Sequence, residues 1–193
     1  MIPPRQIRAR HDESTITVYQ AYNPEIGDHA AAHGRFPPNY NRDRMTWVKP
    51  SFLWMMYRSG WATKPGQERV LAITITRAGF EWALAHSGLS HYDSAVHADR
   101  KEWTATRHRP VRVQWDPERS PSLHALPHRA LQMGLSREAV DRYVDEWIVG
   151  IEDVTALAHR IHALPPESRE AELPVELPYP LPADLAATCG ATS

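Results

Sequence analysis

Pro50-Ser51-Phe52-Leu53-Trp54-Met55-Met56-Tyr57-Arg58-Ser59-Gly60, followed by Val70-Leu71-Ala72-Ile73-Thr74-Ile75, decides the fold class of this 193-residue chain. Proline at the start and glycine at the end of the first stretch bracket a helix of about three turns. Its apolar residues lie on most faces, which predicts a buried helix rather than an amphipathic surface one. The second stretch is almost continuously apolar and rich in β-branched residues, the pattern of a strand covered on both sides. A buried helix beside a buried strand predicts an α+β protein: a small mixed or split antiparallel sheet packed by that helix.

Working outward, Thr15-Ile16-Thr17-Val18-Tyr19-Gln20 alternates like a strand. Asn23 and Pro24 then open a short helix that Gly34 can end. Residues 35–43 carry turn formers throughout and read as a loop, and residues 44–49 as a strand or extended run. Thr76 can cap a helix reaching about His86. Val111-Arg112-Val113-Gln114-Trp115 is a further alternating strand, with Asp116-Pro117 as its stop signal. From Ser136 the apolar residues Val140, Tyr143, Val144, Trp147, Ile148, Ile151, Val154, Ala158 and Ile161 recur at three- and four-residue steps. They predict a long amphipathic C-terminal helix over residues 137–164, which Gly150 bends or divides. Residues 165–193 hold six prolines and little periodicity. We therefore expect one α+β domain over residues 1–164 and an extended or disordered Pro-rich tail after it.

Hydrophobic residues make up 42% of the chain and charged residues 23%, ordinary globular values. No apolar run approaches the roughly 18–20 residues of a membrane span. Met1-Ile2-Pro3-Pro4-Arg5 has no signal-peptide core, and the single cysteine, Cys189, has no partner for a disulfide. A cytoplasmic setting is the expectation. Charge is uneven: residues 1–144 carry 20 basic against 14 acidic groups, net +6, and residues 145–193 carry 2 against 9, net −7. Nineteen of the 22 basic residues are arginine, whose planar fork suits phosphate and carboxylate.

Three segments concentrate residues able to do chemistry. The first couples Arg8 to a strand end where Gln20 and Tyr22 share one face. In the second, Arg44, Thr46 and Lys49 precede the buried helix, with Ser51 in its first turn. Free backbone N–H groups and the positive dipole end there favour an anion, so these cations imply an anionic ligand or a buried carboxylate nearby. Trp54, with Trp47 and Trp61, offers a surface for a base or nicotinamide ring. In the third, Gln114 and Asp116 continue one strand face toward Glu118, groups able to hold ribose hydroxyls or act as a general base. Gly-rich phosphate loops, GxSxG and CxxC patterns are absent. His159/His162 and His124/His128 have helix-like spacing but no third ligand beside them, so no metal is expected.

Arg5 to Ala9, Val18 to Tyr22, the run Arg44 to Trp61, Gln67-Glu68 and Val111 to Arg119 together resemble a family catalogued as domain of unknown function 4291, over about residues 5–162. That resemblance implies no mechanism. A weaker one is to the ADP-ribosyltransferases, whose split sheet bears three site segments in this order. It implies NAD as cofactor, with pyrophosphate at Arg44 and Lys49 and ribose at Gln114 or Glu118 as the catalytic residues. This chain departs at the first segment, where Tyr19-Gln20 stands in place of Arg or His. The expected partner is a nucleotide or other anionic small molecule. Two alternatives compete with it: a protein that binds or processes nucleic acid (RNA), its tryptophans stacking unpaired bases, and a non-catalytic interaction module anchored by Tyr143 and Trp147 on the long helix.

Overall fold

The computed structural model describes residues 2–192. Two antiparallel-rich sheets dominate it. The first is three-stranded, with β4 (Arg69–Thr76) between β2 (Thr15–Tyr22) and β8 (Ile148–Asp153). β2 and β4 pair in unbroken register from Thr15↔Thr76 to Tyr22↔Arg69. The second sheet has the order β3-β7-β6-β5, formed by Thr46–Val48, Ala125–Leu135, Val111–Arg119 and Ser87–Leu89. Only its β5–β6 pair is parallel. A two-residue ladder joins β1 (Arg8–Ala9) to β9 (Leu177–Pro178). The expected split α+β architecture is what the chain adopts.

The helices begin and end where local chemistry dictates. In α1 (Pro24–His33) the Asn23 side chain accepts from the Ile26 amide, and Gly34 closes the helix at φ 65°. In α2 (Phe52–Ser59) Ser51 is the N-cap, accepting from the Trp54 amide, and Gly60 ends it at φ 60°. Phe52, Met55 and Met56 are at most 2% exposed, so α2 is the buried helix its composition predicts. Each such side chain contributes roughly 1.5–3 kcal/mol on burial. Thr76 caps α3 (Arg77–Ala85) through the Gly79 amide. Asp99 caps the short α4 (Arg100–Ala105).

Three expectations are corrected. The long helix over residues 137–164 does not exist. Its apolar stripe is divided among α5 (Glu138–Arg142), a π turn (Tyr143–Trp147), strand β8 and α6 (Thr155–Ala163). The second edge of β4 needs backbone partners, and β-branched Ile148 and Ile151 supply them at Ile75 and Ile73. Gly150 therefore sits in a strand, opposite Thr74, rather than bending a helix. Ser136 does not cap; its hydroxyl donates to the Pro110 carbonyl at 2.8 Å. Tyr143 and Trp147, which the interaction-module alternative would use as anchors, are 0% and 5% exposed.

Second, Asp116-Pro117 does not stop β6. The strand runs on to Arg119, with a register shift between Pro117 and Arg119. β5 covers only Val111 to Val113, so Pro117 lies where the outer edge of β6 has no neighbour to miss its N–H. Third, the expected tail folds against the body. Beyond two 3-10 turns and β9 comes α7 (Ala183–Cys189), with Cys189 fully buried. Trp115 Nε1 donates to the Cys189 carbonyl at 2.8 Å. Tyr179 is 5% exposed, donates to Glu81 at 2.6 Å and accepts from Arg77 at 2.9 Å. Prolines here end helices and strands instead of keeping the segment loose.

Removal of residues 165–193 is accordingly expected to abolish the cooperative thermal transition, because burying Tyr179, Leu185 and Cys189 is worth a large share of a total stability of about 5–15 kcal/mol. A shift in Tm of under about 2 °C, measured by circular dichroism, is what an extended tail would give.

Candidate functional site

The two sheets meet at one seam. Tyr19 in β2 and Lys49, just past β3, exchange both backbone hydrogen bonds, at 2.7 and 3.2 Å. One residue further, Gln20 Nε2 donates to Thr46 Oγ1 at 2.8 Å and to the Trp47 carbonyl at 3.1 Å. Gln20 Oε1 accepts from Tyr143 at 2.6 Å. Thr46 Oγ1 also bonds Tyr40 at 2.8 Å, and Tyr40 bonds Tyr22 at 2.8 Å. This polar cluster is buried and internally satisfied, and burial holds the Tyr22 and Tyr143 hydroxyls well above the ordinary tyrosine range. It fixes the seam.

Over the seam opens a cavity of about 590 Å³, within the range of ligand pockets. Its wall combines Gln20 and Tyr22 from β2, Tyr40, Asn41, Arg44 and Met45 from the loop, Thr46 from β3, Trp54 and Arg58 from α2, Gln67, and Gln132 from β7. Of the 19 described residues lining it, Arg44, Lys49 and Arg58 are cationic and none is acidic. Lys49 is 4% exposed, with Nζ 5.2 Å from the centre of the Trp54 ring. Among the described residues Nζ has neither a hydrogen-bond nor an ion-pair partner. Desolvation, with Arg58 nearby, lowers its pKa from 10.5 to about 7, against a pull upward from Asp116. Trp54 Nε1 is a buried donor with no acceptor. Among the described residues Arg44 bonds only through its backbone amide, to Asn41. An uncompensated buried cation and an orphan N–H on one wall are complementary to an anion.

The first and second sequence segments thus converge, at Gln20, Tyr22, Arg44, Thr46, Lys49 and Trp54, and the third does not. Gln114 and Asp116 stand behind the wall. Asp116 accepts from Gln114 Nε2 at 2.9 Å and from Gln132 Nε2 at 2.6 Å, so Gln132 is the amide that reaches the cavity. Arg8, Ser51 and Glu118 gather elsewhere, at the N-terminus of α2. Ser51 Oγ donates to Glu118 at 2.9 Å, and the free Phe52 amide donates to Glu176 at 2.7 Å. Arg8 donates to the Glu176 carbonyl at 2.9 Å. The partner expected at this helix end is therefore a pair of acidic side chains of the chain itself, Glu118 and Glu176.

Sequence reasoning missed Glu176, Tyr40, Tyr143, Arg58 and Gln132. Arg58 had a signal, as the one charged residue in an otherwise apolar helix. Glu176 and Gln132 had none, since each is brought in by a strand not legible locally. Among the described residues no group of three or more His, Cys, Asp or Glu side chains gathers to hold a metal. No helix there is long and apolar enough to cross a membrane.

Burial raises the Glu176 pKa from 4.5 to about 8, with Glu118 adding repulsion. The folded chain then holds this proton more tightly than the unfolded chain. Its contribution is complete below about pH 4.5 and is lost as pH rises toward 8. Glu176→Gln keeps an acceptor for the Phe52 amide without the charge. Its Tm should exceed the parent's near pH 8, and the gap should close toward pH 5; a gap that widens toward acid would contradict the assignment.

No curated protein matches the chain. The family described as Domain of unknown function (DUF4291) matches residues 6–179, nearly the whole described chain and well into the segment expected to be a tail. The cavity, the α2 carboxylates and the strand that delivers Glu176 all lie inside those limits, and the chain belongs to that family.

Proposed function

We propose that the cavity binds an anionic, nucleotide-sized ligand, its phosphate or carboxylate groups on Lys49, Arg44 and Arg58 and its planar ring against Trp54 or Trp47. One observation carries this reading: a buried lysine with no partner faces a cavity whose wall holds two further cations and no acid. Left empty, such a wall is a cost to folding. An anion converts it into charge-assisted hydrogen bonds. The cytoplasmic nucleotide pool would supply ligands of this kind.

ADP-ribosyl transfer from NAD is the narrower form of the proposal. It needs Gln114 or Glu118 against the ribose, but Gln114 is held by Asp116 and Glu118 faces Ser51. Gln132 is the wall residue with matching chemistry. Binding is therefore the reading to test first, with NAD, ADP-ribose, AMP and inorganic pyrophosphate as separate ligands in calorimetry. Lack of heat and of thermal shift with all four at about millimolar concentration, well above the usual range for specific ligands, would refute it.

Lys49 gives the reading its sharpest signature. A base whose pKa falls from 10.5 to about 7 on folding destabilises the chain fully below pH 7, and the penalty fades as pH rises toward 10.5. Lys49→Met should therefore raise Tm at pH 6–7, by an amount that shrinks toward pH 10, while weakening ligand binding about 10- to 100-fold, the loss of one charged hydrogen bond. Binding by the parent protein should take up a proton near pH 8, seen as buffer-dependent heats. Arg44→Ala should weaken binding about tenfold and leave Tm within about 1 °C, because the exposed Arg44 side chain has no ion pair to break. A large loss of stability would assign Arg44 a structural role.

A further inference from the structure

A second cationic surface lies away from the cavity, at the β5–β6 end of the four-stranded sheet. Arg100 stacks over Tyr92 at 5.1 Å, and Tyr92 meets the edge of Trp103 at 6.5 Å. Arg107 stands over the Trp103 ring at 5.6 Å. Arg112 donates to the Thr106 carbonyl at 3.2 Å, and Arg137 to the His108 carbonyl at 2.8 Å. Arg107 and Arg137 are close enough to Arg112 to depress its pKa, after the effect of burial. None of these four arginines has a carboxylate within ion-pair distance among the described residues. The local acids are occupied: Asp99 caps α4 at the Glu102 amide, and Glu102 accepts from the Ala98 amide.

Like charges are gathered here at a cost. Four guanidinium groups with no counter-charge repel one another, and Arg137 holds a left-handed φ of 54° at ψ −135°, a backbone region that non-glycine residues rarely adopt. Trp103 packs in part against the core and is partly exposed, and its Nε1–H bond to the Leu89 carbonyl at 2.9 Å fixes the ring plane. Arg112 shares its sheet face with Trp47. The residue between them, Gly134, has no side chain, and a Cβ there would meet Met45 Sδ at 2.6 Å and the Trp47 ring at 3.0 Å. The four arginines and the Trp103 ring are thus grouped on the α4 side of this sheet, around the Arg112 position.

We infer that this surface, built from Arg100, Arg107, Arg112 and Arg137 with the Trp103 ring among them, binds single-stranded nucleic acid. Arginines spaced along an extended face match backbone phosphates, and an oriented indole matches an unpaired base. A folded acidic protein partner would satisfy the charge but leave the aromatic plane without a role. The inference is independent of the small-ligand reading of the cavity.

The test uses the full chain and fluorescein-labelled oligo(U) and oligo(dT) of about 12 nucleotides, followed by anisotropy, with a duplex of equal length for comparison. With three or four phosphates neutralised, log affinity should fall with log salt at a slope of about −2 to −3, or roughly 30-fold between about 50 and 200 mM. Arg100→Ala/Arg107→Ala, both exposed, should reduce that slope by about 1 to 1.5 without lowering Tm. Trp103→Leu should weaken binding about tenfold at an unchanged slope, the loss of one stacked base. Arg137→Gly relieves the left-handed backbone, so it should weaken binding while holding or raising Tm, which separates lost contact from lost fold. Comparison of the two oligomers assigns RNA or DNA. The inference is overturned by no binding at about 100 μM protein in 50 mM salt, by unchanged affinity in the double-alanine variant, or by equal affinity for the duplex.

Discussion

The Tyr19–Lys49 backbone pair is the joint on which the molecule depends. Each sheet alone leaves an unpaired edge here, β2 on one side and β3 on the other, and two hydrogen bonds close them into one body. Tyr19 is 1% exposed and packs edge-on against Phe52, at 5.5 Å between ring centres, which ties the joint to α2. Because both partners are held by backbone, the Lys49 main chain cannot leave the interior without unpairing the sheets. The Lys49 ammonium stays where solvation is poor and, among the described residues, no carboxylate lies within ion-pair distance; Asp116 acts on it only from farther off. The fold holds a charge in a place that stability alone would not choose.

The chain's acids have gone elsewhere. The net −7 of residues 145–193 folds against the net +6 body, and particular contacts show how. Arg42 forks onto Asp145 at 2.6 and 2.8 Å and reaches Asp141 at 3.1 Å. Glu176 caps α2 beside Glu118, where the helix end and Arg8 compensate the carboxylates that burial disfavours. Both ends of α2 are thereby polarised. Carboxylates crowd its N-terminus, while Arg58 near its C-terminus, which suits the dipole, turns to the cavity with Lys49. Segregation of this kind leaves a cationic wall with no acidic residue lining it.

Much of the scaffold was legible because its signals are local. Asn23-Pro24, Ser51, Thr76 and the glycines Gly34 and Gly60 act within four residues of themselves, so α1 and α3 start and stop close to where the sequence places them. The helix α2 ends at Gly60 as expected but opens at Phe52, with Ser51 as its cap rather than in its first turn. The strands β2 and β4 carry enough β-branched, apolar residues to be strands in any context. Half the cavity was legible for the same reason. Gln20 and Tyr22 share a face by strand alternation, and Arg44 to Lys49 lead directly into a helix start.

The sequence by itself determined a buried helix beside a central strand, the caps that bound them, and a cation-rich approach to that helix, since each follows from spacing within a few residues. Tertiary structure alone decided the rest. Ile148-Val149-Gly150-Ile151 fits a helix stripe as well as a strand, and only the free edge of β4 selects the strand. Leu177-Pro178 becomes β9 only because β1 offers two residues to pair, and that pairing carries Glu176 to α2 across more than a hundred residues. Gln132 rather than Gln114 reaches the cavity because β7 lies between β6 and β3. Hydrogen bonding between distant strands is satisfied by whichever edge is open, and no short stretch of sequence records which edge that is.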